Sequence, residues 1–293
     1  LVGSEMCIRD RNRLLVIPFF LLNSVVIFAA LFKGIQISLG YYPLIGLEKI
    51  SLTNYQQVLS DPFFQKSLGY SCYLALTATF LSLLFGLAIA FLLLKVKSPW
   101  LHKIISLPIS LPHIIVALMV MQLISQSGII SRGLFQIGVI DEINQFPLLI
   151  HDAGGIGIIL VFLYKEIPYV AVTTLAILQQ LQLGYIEVAR NLGASKTRIF
   201  FTVILPMLQK TLITLFIILF CFTFASFEVP YLLGNPINQP VALTAYDLFT
   251  QADLTTRPQA FALNLVMSGI CLAVSGSGLL ISRLLPGGRK KSC

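Results

Sequence analysis

The sequence predicts an all-α integral membrane protein with six transmembrane helices, and three observations carry that prediction. Of the 293 residues, 57% are hydrophobic and 11% charged, and the mean hydropathy is +0.88. A soluble domain carries about 25% charged residues, so this chain lacks the polar surface to face water. Six apolar runs also reach the roughly 20 residues a helix needs to cross the hydrocarbon core. None alternates with a two-residue period, so of the two structures that satisfy their backbone in lipid, helix and closed barrel, the helix remains.

Residues 1–11 open without a Met and differ in character from the rest of the chain, so they are expected to be a non-native leader and are left out of the fold reasoning. Residues 12–66 hold the first span, at 14–32, and a polar segment, 33–66, expected outside the membrane. That first run is longer than a signal-peptide core and has no A-x-A-like cleavage site, so it is expected to be retained. The core is expected over 67–283. Its second span, 67–94, ends at Lys95-Val96-Lys97-Ser98-Pro99-Trp100, and the third, 104–124, carries Pro108 and Pro112 near its start. After a mixed loop, 125–153, come the fourth span at 154–178, a polar loop over 179–206, the fifth span at 207–233 and the sixth at 259–281. A basic tail occupies 284–293. Small residues four apart, Gly86 with Ala90 and Gly269 with Ala273, would let helices approach closely.

Orientation follows from loop charge. With the N-terminus inside, fourteen Lys and Arg fall on the cytoplasmic side, among them Arg190, Lys196 and Arg198. Five fall outside: Lys33, Lys49, Lys66, Arg132 and Arg257. Both termini are therefore expected in the cytoplasm. The net charge of +8 is this positive-inside excess. Its residues lie in separate short loops without interleaved aromatics, so no nucleic-acid partner is expected. Cys7, Cys72, Cys221, Cys271 and Cys293 show no CxxC spacing and read as packing residues, and His102, His113 and His151 are dispersed, so no metal is expected. Trp100 reads as an interfacial anchor.

The polar loop is the segment a membrane protein does not need for crossing. Residues 185–192 predict a short helix, Gly193 the left-handed residue that ends it, and Ser195 the cap of a second helix running toward Pro206. On the first helix Ile186, Ala189 and Leu192 are expected to form a small apolar face flanked by Glu187 and Arg190, suited to a cleft on another protein.

This loop resembles the EAA loop of permease subunits of binding-protein-dependent type I ABC importers, whose pattern is E-A-A-x3-G-x9-I-x-L-P. Glu187, Ala189, Gly193, Leu205 and Pro206 match at that spacing, with Val188 in place of the first Ala and Val203 in place of the Ile. The resemblance extends over about 51–283, through Ser51-Leu52-Thr53-Asn54-Tyr55, the Leu107-Pro108 and Leu111-Pro112 pairs, and Pro168, with one additional leading span. It implies two permease subunits forming a pathway in the bacterial plasma membrane, a cytoplasmic ATPase that receives each loop helix, and an external solute-binding protein. ATP and Mg would be bound by the ATPase, and this chain would be no enzyme and hold no cofactor. Consistent with that, Gly193-Ala194-Ser195-Lys196-Thr197 fails the G-x-x-x-x-G-K-S/T phosphate loop, and Ser275-Gly276-Ser277-Gly278 lacks a partner base.

Lys165 and Glu166, within the fourth run just before Pro168, are candidates either for the translocation pathway or for structure alone. Glu228, near the outer end of the fifth run, is a candidate gate or cation contact, or a carboxylate facing water. The stretch Phe227-Glu228-Val229-Pro230-Tyr231-Leu232-Leu233-Gly234 is similar to the spermidine/putrescine branch, implying a polyamine or another small solute as cargo. Sulfate, ferric iron, thiamine and phosphonate importers share much of the frame. The competing class is an ion-coupled secondary transporter or channel without an ATPase.

Overall fold

A computed structural model describes the backbone of residues 2–96, 98–182 and 184–285, and the side chains of 17–96, 98–180 and 184–285. The tail beyond residue 285 and the side chains of the expected leader, Cys7 included, lie outside the described residues. In order, the helices are α1 (Val2–Ser38), α2 (Thr53–Ser60), α3 (Pro62–Lys95), α4 (Pro99–Ser110), α5 (His113–Ile124), α6 (Ile129–Gln136), α7 (Ile156–Gln182), α8 (Tyr185–Asn191), α9 (Lys196–Ile199), α10 (Leu205–Phe224), α11 (Glu228–Leu233), α12 (Val241–Thr250) and α13 (Arg257–Leu284). Among the described residues there is no strand, only an isolated bridge between Tyr42 and Leu47. Among the described residues six stretches are long and apolar enough to cross a membrane: Ile17–Ser38, Pro62–Lys95, His113–Gln136, Ile156–Gln180, Lys196–Phe224 and Leu254–Leu284.

The chain divides into two compact units. One holds the chain up to Asp61 with Ala245–Val266, the other Pro62–Thr244 and the chain from Met267 on. In the first unit Arg257 lies 4.9 Å over the Phe249 ring and donates to the Tyr42 hydroxyl. Ser38 meets Tyr55 at 2.8 Å. The side chains of Phe19, Phe20, Leu21 and Leu22 on α1 are exposed, as lipid-facing residues are.

The second unit is built around α3, α7 and α10. Lipid gives apolar helices no hydrophobic reason to associate, so contact rests on close packing and polar ties. Along α3 the buried residues Ser67, Ser71, Ala75, Ala78, Thr79, Ser82, Gly86 and Ala90 make one small-residue stripe. At Gly86 an added Cβ would lie 2.5 Å from Val170 Cβ, so α3 and α7 touch there backbone to side chain. The other expected close approach is not found: Gly269 has nothing within 4 Å of an added Cβ, whereas Gly278 meets Ile217. Nearer the start of α3, Ser67 donates to Gln239 O and Ser71 accepts from Val241 N, which holds the segment entering α12.

Two expected spans are broken, one at a proline and one ahead of a short helix that contains a proline. The third run divides at Leu111-Pro112, whose backbone is extended (ψ 138° and 145°). Residues before proline avoid helical ψ, and Pro112 has no N–H to continue the ladder. Hence α4 stands apart and the span is α5 with α6. The fifth run ends at Phe224, and α11 forms separately so that Pro230 falls in its first turn, where no N–H is needed. Val229 and Leu233 of α11 then pack into the cluster around Leu74, Val116, Ile158 and Phe162. The end of α11 is stapled to the loop before α7: His151, at φ +59°, donates its N–H to Leu233 O, and its Nδ1 lies 2.8 Å from Gly234 O. Asp152 caps α7 by accepting from Gly154 N and Ile156 N.

Candidate functional site

The loop that links α7 to α10 folds as its residues predict. Helix α8 ends in a Schellman arrangement: Gly193, at φ +79°, donates to Arg190 O, and Ala194 donates to Ala189 O. Ser195 then caps α9, accepting from Arg198 N at 3.3 Å. Beyond α9, Phe200–Ile204 form a π-helical turn in which Leu205 N donates to Phe200 O. This wider turn precedes Pro206, which has no N–H to donate to Thr202 O and whose ring would press on that carbonyl. The helical path is therefore unbroken from Lys196 to Phe224.

The apolar face of α8 differs from the one expected. Ile186 is buried and Ala189 half-buried, both packed inward with Leu175, Leu178, Ile199 and Leu208. The outward apolar residues are Tyr185, Val188 and Leu192, at 61%, 58% and 82% exposure. At about 100° per residue, 185, 188 and 192 cluster on the side away from 186. Spacing alone groups the inward pair with Leu192 because the cluster it serves is made by distant residues. Glu187 is exposed in the first turn and Arg190 lies in the last, both complementing the helix dipole. Val188 thus belongs to the presented surface, Ala189 and Gly193 to its mounting, and Leu205 and Pro206 to the start of α10.

Lys165 and Glu166 are buried inside the helix packing, at 8% and 3% exposure. They do not pair with each other. Adjacent positions on α7 point about 100° apart, and each side chain finds its own partners. Glu166 Oε2 accepts from Ser82 at 2.9 Å and Oε1 from Thr223 at 2.7 Å, so the carboxylate joins α7 to α3 and α10. Lys165 Nζ donates to Pro108 O and Ile109 O at 3.0 Å each, and to Leu111 O. These are carbonyls at the α4–α5 break. Pro168 is buried two residues on, in the middle of α7. Glu228 is exposed as the first residue of α11 and is apart from this pair.

The sequence reading passed over Ser82 and Thr223, single hydroxyls within apolar runs, and weighed His113 only as a metal ligand. The ring of His113 opens α5 and lies 4.6 Å from Phe222 and 6.3 Å from Phe162. Its position directly after Pro112 was the available signal.

Six candidate spans and a capped helix pair between the fourth and fifth make the frame, and comparison with known proteins gives its class. The chain is 27% identical over 191 residues to the spermidine/putrescine transport system permease protein PotB of Escherichia coli, covering 64% of this chain and 67% of that one. It is 24% identical over 241 residues to the sulfate transport system permease protein CysT of Salmonella typhimurium, covering 81% and 83%. Its fold matches a chain of the bacterial alginate ABC transporter crystallised with an alginate-pentasaccharide-bound periplasmic protein, with TM-score 0.72 at 18% identity over 96% of this chain and 98% of that one. Residues 82–285, most of the chain, match the family described as the binding-protein-dependent transport system inner membrane component. The chain therefore belongs to that family, as a multi-pass permease subunit of an ABC importer.

Proposed function

We propose that α8 is the element through which a separate cytoplasmic ATPase drives this permease. The observation that carries the reading is a short helix with exposed Tyr185, Val188 and Leu192 whose far end is locked by Gly193 and Ala194. Exposed apolar groups on a fixed helix suit a cleft on a partner, and a stiff mounting lets a differential binding energy move the spans. Glu187 orients the helix, Ala189 seats it, and Leu205-Pro206 pass motion to α10. ATP and Mg are bound by the ATPase, and this chain holds no cofactor. A second permease subunit, identical or not, completes the pathway, and cargo arrives on an external binding protein. Both termini face the cytoplasm. The cargo is a small solute, and a polyamine is compatible with the exposed carboxylate of Glu228. A gradient-driven transporter would have no use for the Glu187–Pro206 spacing.

Two substitutions test the coupling role. In Gly193→Val, a β-branched residue enters a left-handed conformation that costs roughly 1–2 kcal/mol, which loosens the mounting of α8. Leu192→Glu leaves the fold intact and changes only the outward face. Both variants should reach the membrane at normal levels yet lose co-purification with the ATPase. Undiminished co-purification of both would remove α8 from the coupling role.

A further inference from the structure

Lys165 is a cation in the middle of a membrane span, and the neighbouring carboxylate, Glu166, is engaged by Ser82 and Thr223 instead. The compensation for Lys165 is backbone: Pro108 O, Ile109 O and Leu111 O receive its ammonium. An ammonium has three donors, so the coordination is closed and none is left for a solute. The three acceptors have one origin. In an uninterrupted helix Pro108 O would accept from the N–H of residue 112, but that residue is proline. Only the tightened bond from Leu111 N, at 3.3 Å, reaches Pro108 O from the backbone. The extended backbone at Leu111 and Pro112 likewise carries Ile109 O and Leu111 O out of the ladder. These are the last carbonyls of α4, where the helix dipole favours a cation. Lys165 thus supplies donors to a break where Pro112 withholds one N–H and the extended backbone displaces the others.

We infer that Lys165 is a positioning residue for transport, tying the α4–α5 break to α7. The tie has a direction. From Lys165 the helix runs on to Gln182, about 25 Å at 1.5 Å per residue, and leads to α8. One position on, about 100° around the same turn, Glu166 holds Ser82 and Thr223, so α7 grips the neighbouring helices at the level of the break. A displacement received at α8 is carried along α7 and delivered to a break otherwise held by the Leu111 N–H on Pro108 O. The inference rests on the coupling role of α8. It adds the place in the membrane where the motion is spent.

The test uses the purified permease–ATPase complex in lipid nanodiscs, with the five cysteines replaced by Ser and spin labels at Ile104→Cys on α4 and Met119→Cys on α5. Both sites are exposed and flank the break. ATP with vanadate should shift the inter-label distance by about 2 Å or more in the parent. Lys165→Met should keep ATPase co-purification and reduce that shift by more than half, and Lys165→Arg should restore it. Because Lys165→Met leaves carbonyls unpaired and could fail to accumulate, the double variant Pro112→Ala/Lys165→Met is measured too. Its new N–H can reach Pro108 O, so it should accumulate normally and still show less than half the parental shift. A parent without a shift, a full shift in Lys165→Met, or a full shift in the double variant overturns the inference. Loss of co-purification in the Gly193 and Leu192 variants is a separate reading, so failure of the coupling role and failure of the tie are told apart.

Discussion

The carboxylate of Glu166 takes one hydroxyl on each oxygen, and the two hydroxyls come from different helices, Thr223 of α10 and Ser82 of α3. An ionised carboxylate accepts at both oxygens, whereas a protonated one carries a donor of its own. Thr223→Val keeps the shape of the side chain and removes one donor from a buried charge. A hydrogen bond to a charged group is worth about 1.5–3 kcal/mol, and Thr223→Val should lower stability by that amount in thermal unfolding of the detergent-solubilised protein. In a Glu166→Gln background the same substitution should cost about half as much, because the acceptor is neutral. Equal costs in both backgrounds would show that the group is not ionised. The adjacency of Lys165 and Glu166 is visible in the sequence and suggests a pair. Their true partners are not visible, since three are backbone carbonyls exposed by a proline 53 positions away and two are hydroxyls on other helices.

At the level of the helix, α3 shows what a membrane contact surface is made of. Its stripe from Ser67 to Ala90 repeats small or hydroxyl residues every three or four positions, so α7 can approach the backbone itself. Gly86→Ala would set a Cβ 2.5 Å from Val170 Cβ and 3.0 Å from Ile167 O, forcing the helices apart. Overpacking of this kind costs about 1–3 kcal/mol, read as a lowered melting midpoint. Gly269→Ala, with nothing within 4 Å, should stay within about 0.5 kcal/mol of the parent. The contrast explains what could be read in advance. The number of spans followed from hydropathy, and the caps of α8 and α9 followed from Gly193 and Ser195. The breaks before His113 and after Phe224 did not, because hydropathy is blind to the backbone. Gly86 and Gly269 look alike as sequence, and only the neighbour decides which is a contact.

For the whole molecule, the charge asymmetry predicts one orientation, and that can be tested directly. In a cysteine-free background, Leu192→Cys should resist a membrane-impermeant maleimide in intact cells and react after permeabilisation. Leu148→Cys, exposed in the loop before α7, should react from outside. The reverse pattern would invert the topology and remove α8 from the cytoplasm. The loop and the spans meet at the π turn of Phe200–Ile204, where Phe200 packs 5.7 Å from Phe91 of α3. A π turn holds one more residue than the α-helical path it replaces. At about 100° per residue, that residue sets the angular phase between α9 and α10, so the heading of the loop relative to the membrane is recorded as a residue count. Shortening the turn by one position would leave every neighbouring side chain unchanged in kind and aim the loop in another direction.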